Sequence, residues 1–300
     1  HLRLDIFLSG KCNDFSRSQI QKIIKNGFVQ INGKTCLSPS QEIKKNDLIS
    51  ACFPEKNQNQ TLYAQNITLQ IIYEDNDILV LNKPPDMVVH PASGNWSGTV
   101  VNALLGKFAN FAETMNDFER PGLVHRLDKD SSGCLVIAKN CSAKYKITKQ
   151  FSERKVEKTY LAITYGHPPK NNDEIKTLIG RHKTDRKKMT VLKDFGKEAI
   201  TFYQVLEKGS IDGFPVALVS ANIKTGRTHQ IRVHMAYIKS PILGDNIYGG
   251  HQKIEAPRQM LHALKISLIH PATEQEMTFE SPIPEDMSSM IIKAGFSPKN

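Results

Sequence analysis

HRLDKDSSGCLVIAK, residues 125–139, joins a charged turn to an apolar run. Gly133 and the CLVIA segment after it have the pattern of a turn entering a buried strand, since an unbroken apolar run fits a strand covered on both faces. Ahead of that strand an acid, Asp128, stands among basic residues, Arg126 and Lys129. A charged surface turn accounts for this composition, and so does a carboxylate kept for chemistry. Residues elsewhere in the chain decide between the two.

The strand pattern recurs on both sides of the turn. ITLQIIYE (67–74), DILVLNK (77–83), TYLAITYG (159–166), AITFYQVLE (199–207) and PVALVSANI (215–223) are short, apolar and rich in β-branched residues. Helical spacing is confined mainly to 99–107 and 142–152. Many strands with few helices predict an α+β domain on a mixed, largely antiparallel sheet. No internal repeat, no glycine-rich phosphate loop and no zinc-deaminase signature (H-x-E with P-C-x-x-C) is found.

Three hundred residues suggest about two domains. An apolar content of 39% with 23% charged residues describes a soluble globular chain. No stretch approaches the roughly 18 to 20 apolar residues of a membrane span, and none resembles a signal peptide, so a cytoplasmic protein is expected. Five cysteines (Cys12, Cys36, Cys52, Cys134, Cys141) without a C-x-x-C pair argue against a disulfide framework or a zinc cage. A net charge of +10 favours a polyanionic partner.

A polar stretch, PEKNQNQ at 54–60, divides a small N-terminal unit from the rest. The expected division is a domain over 1–53, a linker over 54–65 and a larger domain over 66–300. In the small unit Ser16 and Gln19 have capping-box spacing, and Ile20, Ile23 and Ile24 form an apolar stripe, so SRSQIQKIIKNG reads as a helix ending near Gly27. FVQINGK then reads as a strand entering an Asn32-Gly33 hairpin turn. With the closing IKKNDLI, this unit resembles the RNA-binding domain named after ribosomal protein S-four. The resemblance implies that Arg17, Lys22, Lys25 and Lys34 contact RNA backbone, which adds affinity without reading sequence.

Four more segments set unusual polar residues among the strands: DILVLNKPPDMVVHPASG (77–94), KTYLAITYG (158–166), the basic loop IGRHKTDRKKMTV (179–191), and IKTGRTHQIRVHMAYIKSPILGD (223–245), whose Arg- and His-dense part is read as a strand. With HRLDKDSSG and the ending MLHALKISLIHPATEQEMTFESPIPEDM, they resemble the RluA-type pseudouridine synthases in order and spacing. That resemblance implies an isomerase that detaches uracil from its ribose, rotates it and rejoins it through a ring carbon, without cofactor or metal. Asp128 would be the essential carboxylate, with Arg232 as its partner against desolvation and Tyr160 stacking on the target base. Arg126 would help fill the space of a flipped nucleotide. His125, Arg181, Lys183, Arg186, Lys187, Lys188, Arg227, Thr228, His229 and Gln230 would contact the RNA.

His229 and His234 do not have metal-site spacing, and a glycosidase would need a second suitably placed carboxylate. The chain departs from many relatives in having Asp86 where they have glycine, and Ser131 and Cys134 where they have threonine and an aliphatic residue. The implied partner is RNA, foremost large-subunit ribosomal RNA; transfer RNA, or a non-catalytic role in ribosome assembly, are the alternatives. All readings of the site require Asp128, Arg232 and Tyr160 to meet in one basic cleft.

Overall fold

The structure, a computed structural model, describes residues 2–12, 15, 17–53, 62–92, 94–185 and 188–297, and it divides into two compact units, 1–61 and 62–300. In the first unit, β1 (Leu2–Arg3) leads into α1 (Leu4–Lys11) and α2 (Arg17–Lys25), followed by β2 (Val29–Ile31), β3 (Lys34–Thr35), β4 (Glu42–Ile43) and β5 (Ile49–Ala51). The isoleucine stripe of α2 is buried with Leu4, Leu8 and Val29 in a small core. Asn32 and Gly33, at φ 53° and 76°, make the tight link between β2 and β3 that their sequence announces. Ser16, the side chain of Gln19 and the polar stretch 54–60 lie outside what the structure describes.

The second unit runs β6 (Gln70–Glu74), β7 (Ile78–Lys83), α3 (Val100–Lys107), α4 (Phe111–Thr114), β8 (Ser132–Ala138), α5 (Cys141–Ser152), β9 (Glu157–Tyr165), β10 (Asn172–Arg181), β11 (Met189–Leu192), β12 (Lys197–Ile211), β13 (Phe214–Ile223), α6 (Gln230–Tyr237), β14 (Leu261–Ile269), β15 (Glu276–Glu280) and α7 (Glu285–Lys293). Among the described residues ten strands form one sheet in the order β11-β10-β12-β13-β9-β14-β8-β7-β6, with β15 paired to the second half of β14. Only β14 against β8 is parallel. This is the mixed, mostly antiparallel α+β architecture that the strand runs predict.

Alternation along the central strands builds a core on each face of the sheet. Tyr160 and Ala162 of β9 join one cluster with residues of α3, α4 and α5; Leu161 and Ile163 join the other with Met287, Met290 and Ile291 of α7. The turn ahead of β8 therefore opens onto a sheet covered on both sides. Gly133 marks the crossing, at φ +114°, where an added Cβ would lie 2.2 Å from the carbonyl oxygen of Ala263 in β14.

Three histidines hold neutral rings inside this unit. His125 accepts a hydrogen bond from the Val136 amide at 2.8 Å and stacks on Phe151; burial pushes it down to about 3. His234 lies between the hydroxyls of Thr177 and Thr201, and His262 between Ser132 and the Ser281 carbonyl; burial pushes both down to about 4.

Two predictions follow from this scaffold. Gly133→Ala should lower stability by roughly 2–4 kcal/mol, from a backbone clash and a disfavoured φ, read as a drop in the urea midpoint. Unfolded histidines titrate near 6.5 and these three lower, so stability should fall as pH drops from about 6.5 toward 4, with unfolding at pH 5 taking up about three protons from these rings. Unfolding curves that do not change over that range would contradict the neutral rings.

Candidate active site

The turn carrying Asp128 is polar yet enclosed, so its backbone groups need partners. The Ser131 amide bonds back to the Asp128 carbonyl at 3.2 Å. Lys83, at the end of β7 and 1% exposed, donates to the carbonyls of Pro84 (2.6 Å), Met87 (2.9 Å) and Lys129 (2.9 Å). Burial pushes Lys83 down to about 7, with the nearby carboxylate of Asp130 opposing. Its three acceptors match the three N–H groups of the charged form. From the other side, buried Arg258 donates to the carbonyls of Asp130 and Leu261 and to Ser132 Oγ, and it pairs with Asp286. Asp86 sits at φ 62°, a conformation glycine takes freely and aspartate tolerates; its carboxylate pairs with Lys129 at 2.8 Å.

Asp128 meets Arg232 across this turn, with Nη1 at 3.1 Å from Oδ2. Arg232 lies in α6, so the reading of RTHQIRVH as a strand is corrected to a left-handed cap at His229 followed by a helix. The physical reason is that Gln230 through Met235 are all buried, and a helix enclosed on every side has no polar face to set a period. Arg232 is itself anchored bidentately on Asp245, at 2.7 and 2.9 Å. Asp245 also accepts the amides of Ile247 and Tyr248, and its carboxyl is held below the usual range against the opposing effect of burial. The two carboxylates hold the Arg232 charge against burial.

Tyr160, Asp128 and Arg232 line one cavity of about 100 Å³, together with Arg126, Thr228, His229 and Gln230. An adjoining hollow of about 370 Å³ shares Arg126, Asp128, His229 and Arg232 and is also lined by Asn95, Lys129, Asn246 and Gln259. The Tyr160 phenol is raised, mostly by burial and next by Asp128, so it stays protonated. The Tyr248 ring lies under the Arg232 guanidinium at 5.2 Å, and its hydroxyl is 2.8 Å from His229 Nδ1.

The other residues expected to touch RNA fall into distinct settings. Arg126 and Thr228 are exposed at the cavity. Gln230 is buried, with its amide used by Ile200, Thr201, Thr225 and Arg227. Arg227 also donates to the Glu198 carbonyl, and His125 turns Nε2 into the sheet. Arg181 and Lys183 are exposed at the β10–β11 connection and Lys188 lies near Asp185; Arg186 and Lys187 lie outside the described residues. In the first unit Arg17, Lys22, Lys25 and Lys34 are exposed, and Arg17 is bound to buried Asp5.

Sequence reasoning did not single out Asp245, Tyr248, Lys83 or Arg258. A lysine closing the apolar run DILVLNK is the one local signal among them. Asp75, Asp77 and His270 bring three ligand-type atoms together, but Asp75 is engaged by His270, Tyr73 and two backbone amides, and Asp77 by Asn140. Among the described residues no helix is long and apolar enough to cross a membrane.

Comparison with known proteins gives two family matches: RNA pseudouridylate synthase over residues 77–237 and S4 domain over residues 2–49. An RNA pseudouridine synthase of Bacillus subtilis is 42% identical, covering 96% of this chain and 93% of its own. Ribosomal large subunit pseudouridine synthase D of Salmonella typhimurium is 38% identical over 96% of this chain and 89% of its own. The solved structure of human RNA pseudouridylate synthase domain containing 4 matches with a TM-score of 0.60 and 25% identity, over 77% of this chain and 95% of that one. With a synthase match over more than half its length and such relatives aligned along nearly all of it, the chain belongs to the RNA pseudouridylate synthase family, RluA type, and is an isomerase with an S4 domain ahead of its synthase domain.

Proposed function

We propose that the chain converts uridines of large-subunit ribosomal RNA to pseudouridine in the cytoplasm, with Asp128 as the essential carboxylate. The observation that carries the reading is the Asp128–Arg232 contact beside Tyr160 in one cavity. The RNA class is supported by the 38% identity to a relative named for the ribosomal large subunit. The reaction exchanges a ribose bond to N1 of uracil for one to C5; the C5 proton is lost and N1 takes up a proton as the product forms, so the composition is unchanged. Nothing is oxidised or reduced, so a carboxylate, a neutral phenol and a guanidinium suffice in kind.

Arg232 occupies Oδ2 of Asp128, and no described residue hydrogen-bonds Oδ1. Oδ1 is thus the oxygen available to ribose or base, sheltered from bulk water. Tyr160 gives the turned-out uracil a face to stack on. Arg126, exposed at the rim, fills the vacated stack and offsets an extrusion cost of roughly a few kcal/mol. The larger hollow next to Asp128 has room for part of the adjoining nucleotide. Exposed Arg181 and Lys183, with Lys22, Lys25 and Lys34 of the first unit, supply phosphate contacts.

The test is to incubate total RNA with the protein and map the pseudouridines formed. Conversion in large-subunit ribosomal RNA is expected; conversion confined to transfer RNA would overturn the substrate class. Asp128→Asn should abolish conversion and keep RNA affinity within about three-fold, because the substitution removes a reacting group and not a phosphate contact. An Asn variant with wild-type turnover would remove Asp128 from the chemistry. With about six phosphates neutralised, log affinity should fall against log salt with a slope of about −4 to −5.

A further inference from the structure

We propose that His229 is a positioning residue for Asp128: Tyr248 fixes it as the tautomer with its proton on Nε2, and that N–H is aimed at Asp128 Oδ2. The inference rests on the reading of Asp128 as the reacting carboxylate.

The chain of donors settles the tautomer. The Met189 amide can only donate, and it donates to Tyr248 Oη at 2.8 Å. Tyr248 Oη has no other hydrogen-bond partner among the described residues, so the acceptor its single proton finds is His229 Nδ1, 2.8 Å away. Nδ1 therefore accepts, and a neutral ring carries its proton on Nε2. Nε2 lies 3.8 Å from Asp128 Oδ2. That is longer than a hydrogen bond, and an approach of about 1 Å makes it one, as catalytic contacts do when substrate closes the site.

The ring is neutral because burial pushes the imidazolium down; Asp128 and Asp245 pull upward, and Arg232 and Arg126 push down. His229 reaches this place from a left-handed backbone, φ 56°, at the cap of α6. Strain of this kind is kept where the surroundings hold it, and here Tyr248 packs edge-on against the ring. The same tyrosine lies under Arg232, so one side chain braces both groups that face Oδ2. Arg232 holds Oδ2 already, and once Nε2 closes the remaining distance the carboxylate is held from a second direction, its rotation restricted and Oδ1 presented to the nucleotide.

Two measurements test this. In protein labelled with 15N-histidine, His229, assigned by its loss in His229→Asn, should show a pyridine-like Nδ1 and a protonated Nε2; Tyr248→Phe should give a mixture of tautomers. A proton found on Nδ1, or on both nitrogens at neutral pH, overturns the proposal. In kinetics, His229→Asn tolerates the left-handed backbone and still reaches Tyr248, but is too short to reach Asp128. Its kcat should fall about 10- to 100-fold with KM for RNA within about two-fold, as for loss of alignment at a reacting group. His229→Gln, whose amide extends to the Nε2 position, should recover about ten-fold over the Asn variant. A rise in KM at unchanged kcat would make His229 an RNA contact instead, and wild-type turnover by the Asn variant would dismiss it. Failure of the underlying reading looks different: Asp128→Asn would then be active whatever the His229 variants do.

Discussion

One guanidinium between two carboxylates holds together the cavity of the second unit. Arg232 gives two parallel hydrogen bonds to Asp245 and a single one to Asp128. The asymmetry has a physical meaning. Asp245 is fully buried and further tied to two backbone amides, so it fixes the arginine; Asp128 is 18% exposed and receives a single N–H, from Nη1. A buried charge that loses its partner costs about 3–5 kcal/mol, which makes the whole triad interdependent. Such groups are weak contributors to net stability, and their worth lies in fixing one arrangement of α6, the segment after Leu243 and the turn before β8.

That turn is the second half of the arrangement. Its carbonyls are taken by two buried cations, Lys83 from β7 and Arg258 from the segment before β14. A polar turn can lie against the sheet only if its backbone groups are satisfied, and here they are satisfied by side chains of which one, Lys83, also lies near two acids, Asp128 and Asp130. The cations thus position the backbone and at the same time compensate the acidity of the DKD sequence. Gly133 then lets β8 start within contact of β14.

The sequence displayed the fold class because strands buried on both faces need apolar runs, and those runs survive as unbroken text: β7, β8, β9, β12 and β13 all fall on segments legible by eye. Asp128, Tyr160 and Arg232 stood out through motif resemblance, and their meeting in one cavity is a matter of tertiary structure. α6 was misread for a definite reason. Ile231, Val233 and Met235 alternate like a strand, while Arg232 and His234 between them, polar by composition, are buried as well. Asp245 and Arg258 were illegible because a charged residue becomes a core residue only through its tertiary partners, which no local pattern records.

The first unit uses the same device on a smaller scale. Asp5 is buried and accepts from Arg3, Arg17 and Gln21, with its carboxyl driven far down by those donors despite burial. Arg17 thereby becomes a rigid, partly neutralised group, whereas Lys22, Lys25 and Lys34 are exposed on long flexible stems. A braced guanidinium loses less freedom when it meets a phosphate, while a loose ammonium contributes mainly through the field that draws a polyanion in. In both units a buried aspartate thus decides which arginine is held in place. The excess of ten positive charges is therefore of two kinds: arginines anchored on acids are fixed in geometry, and exposed lysines contribute a long-range positive field.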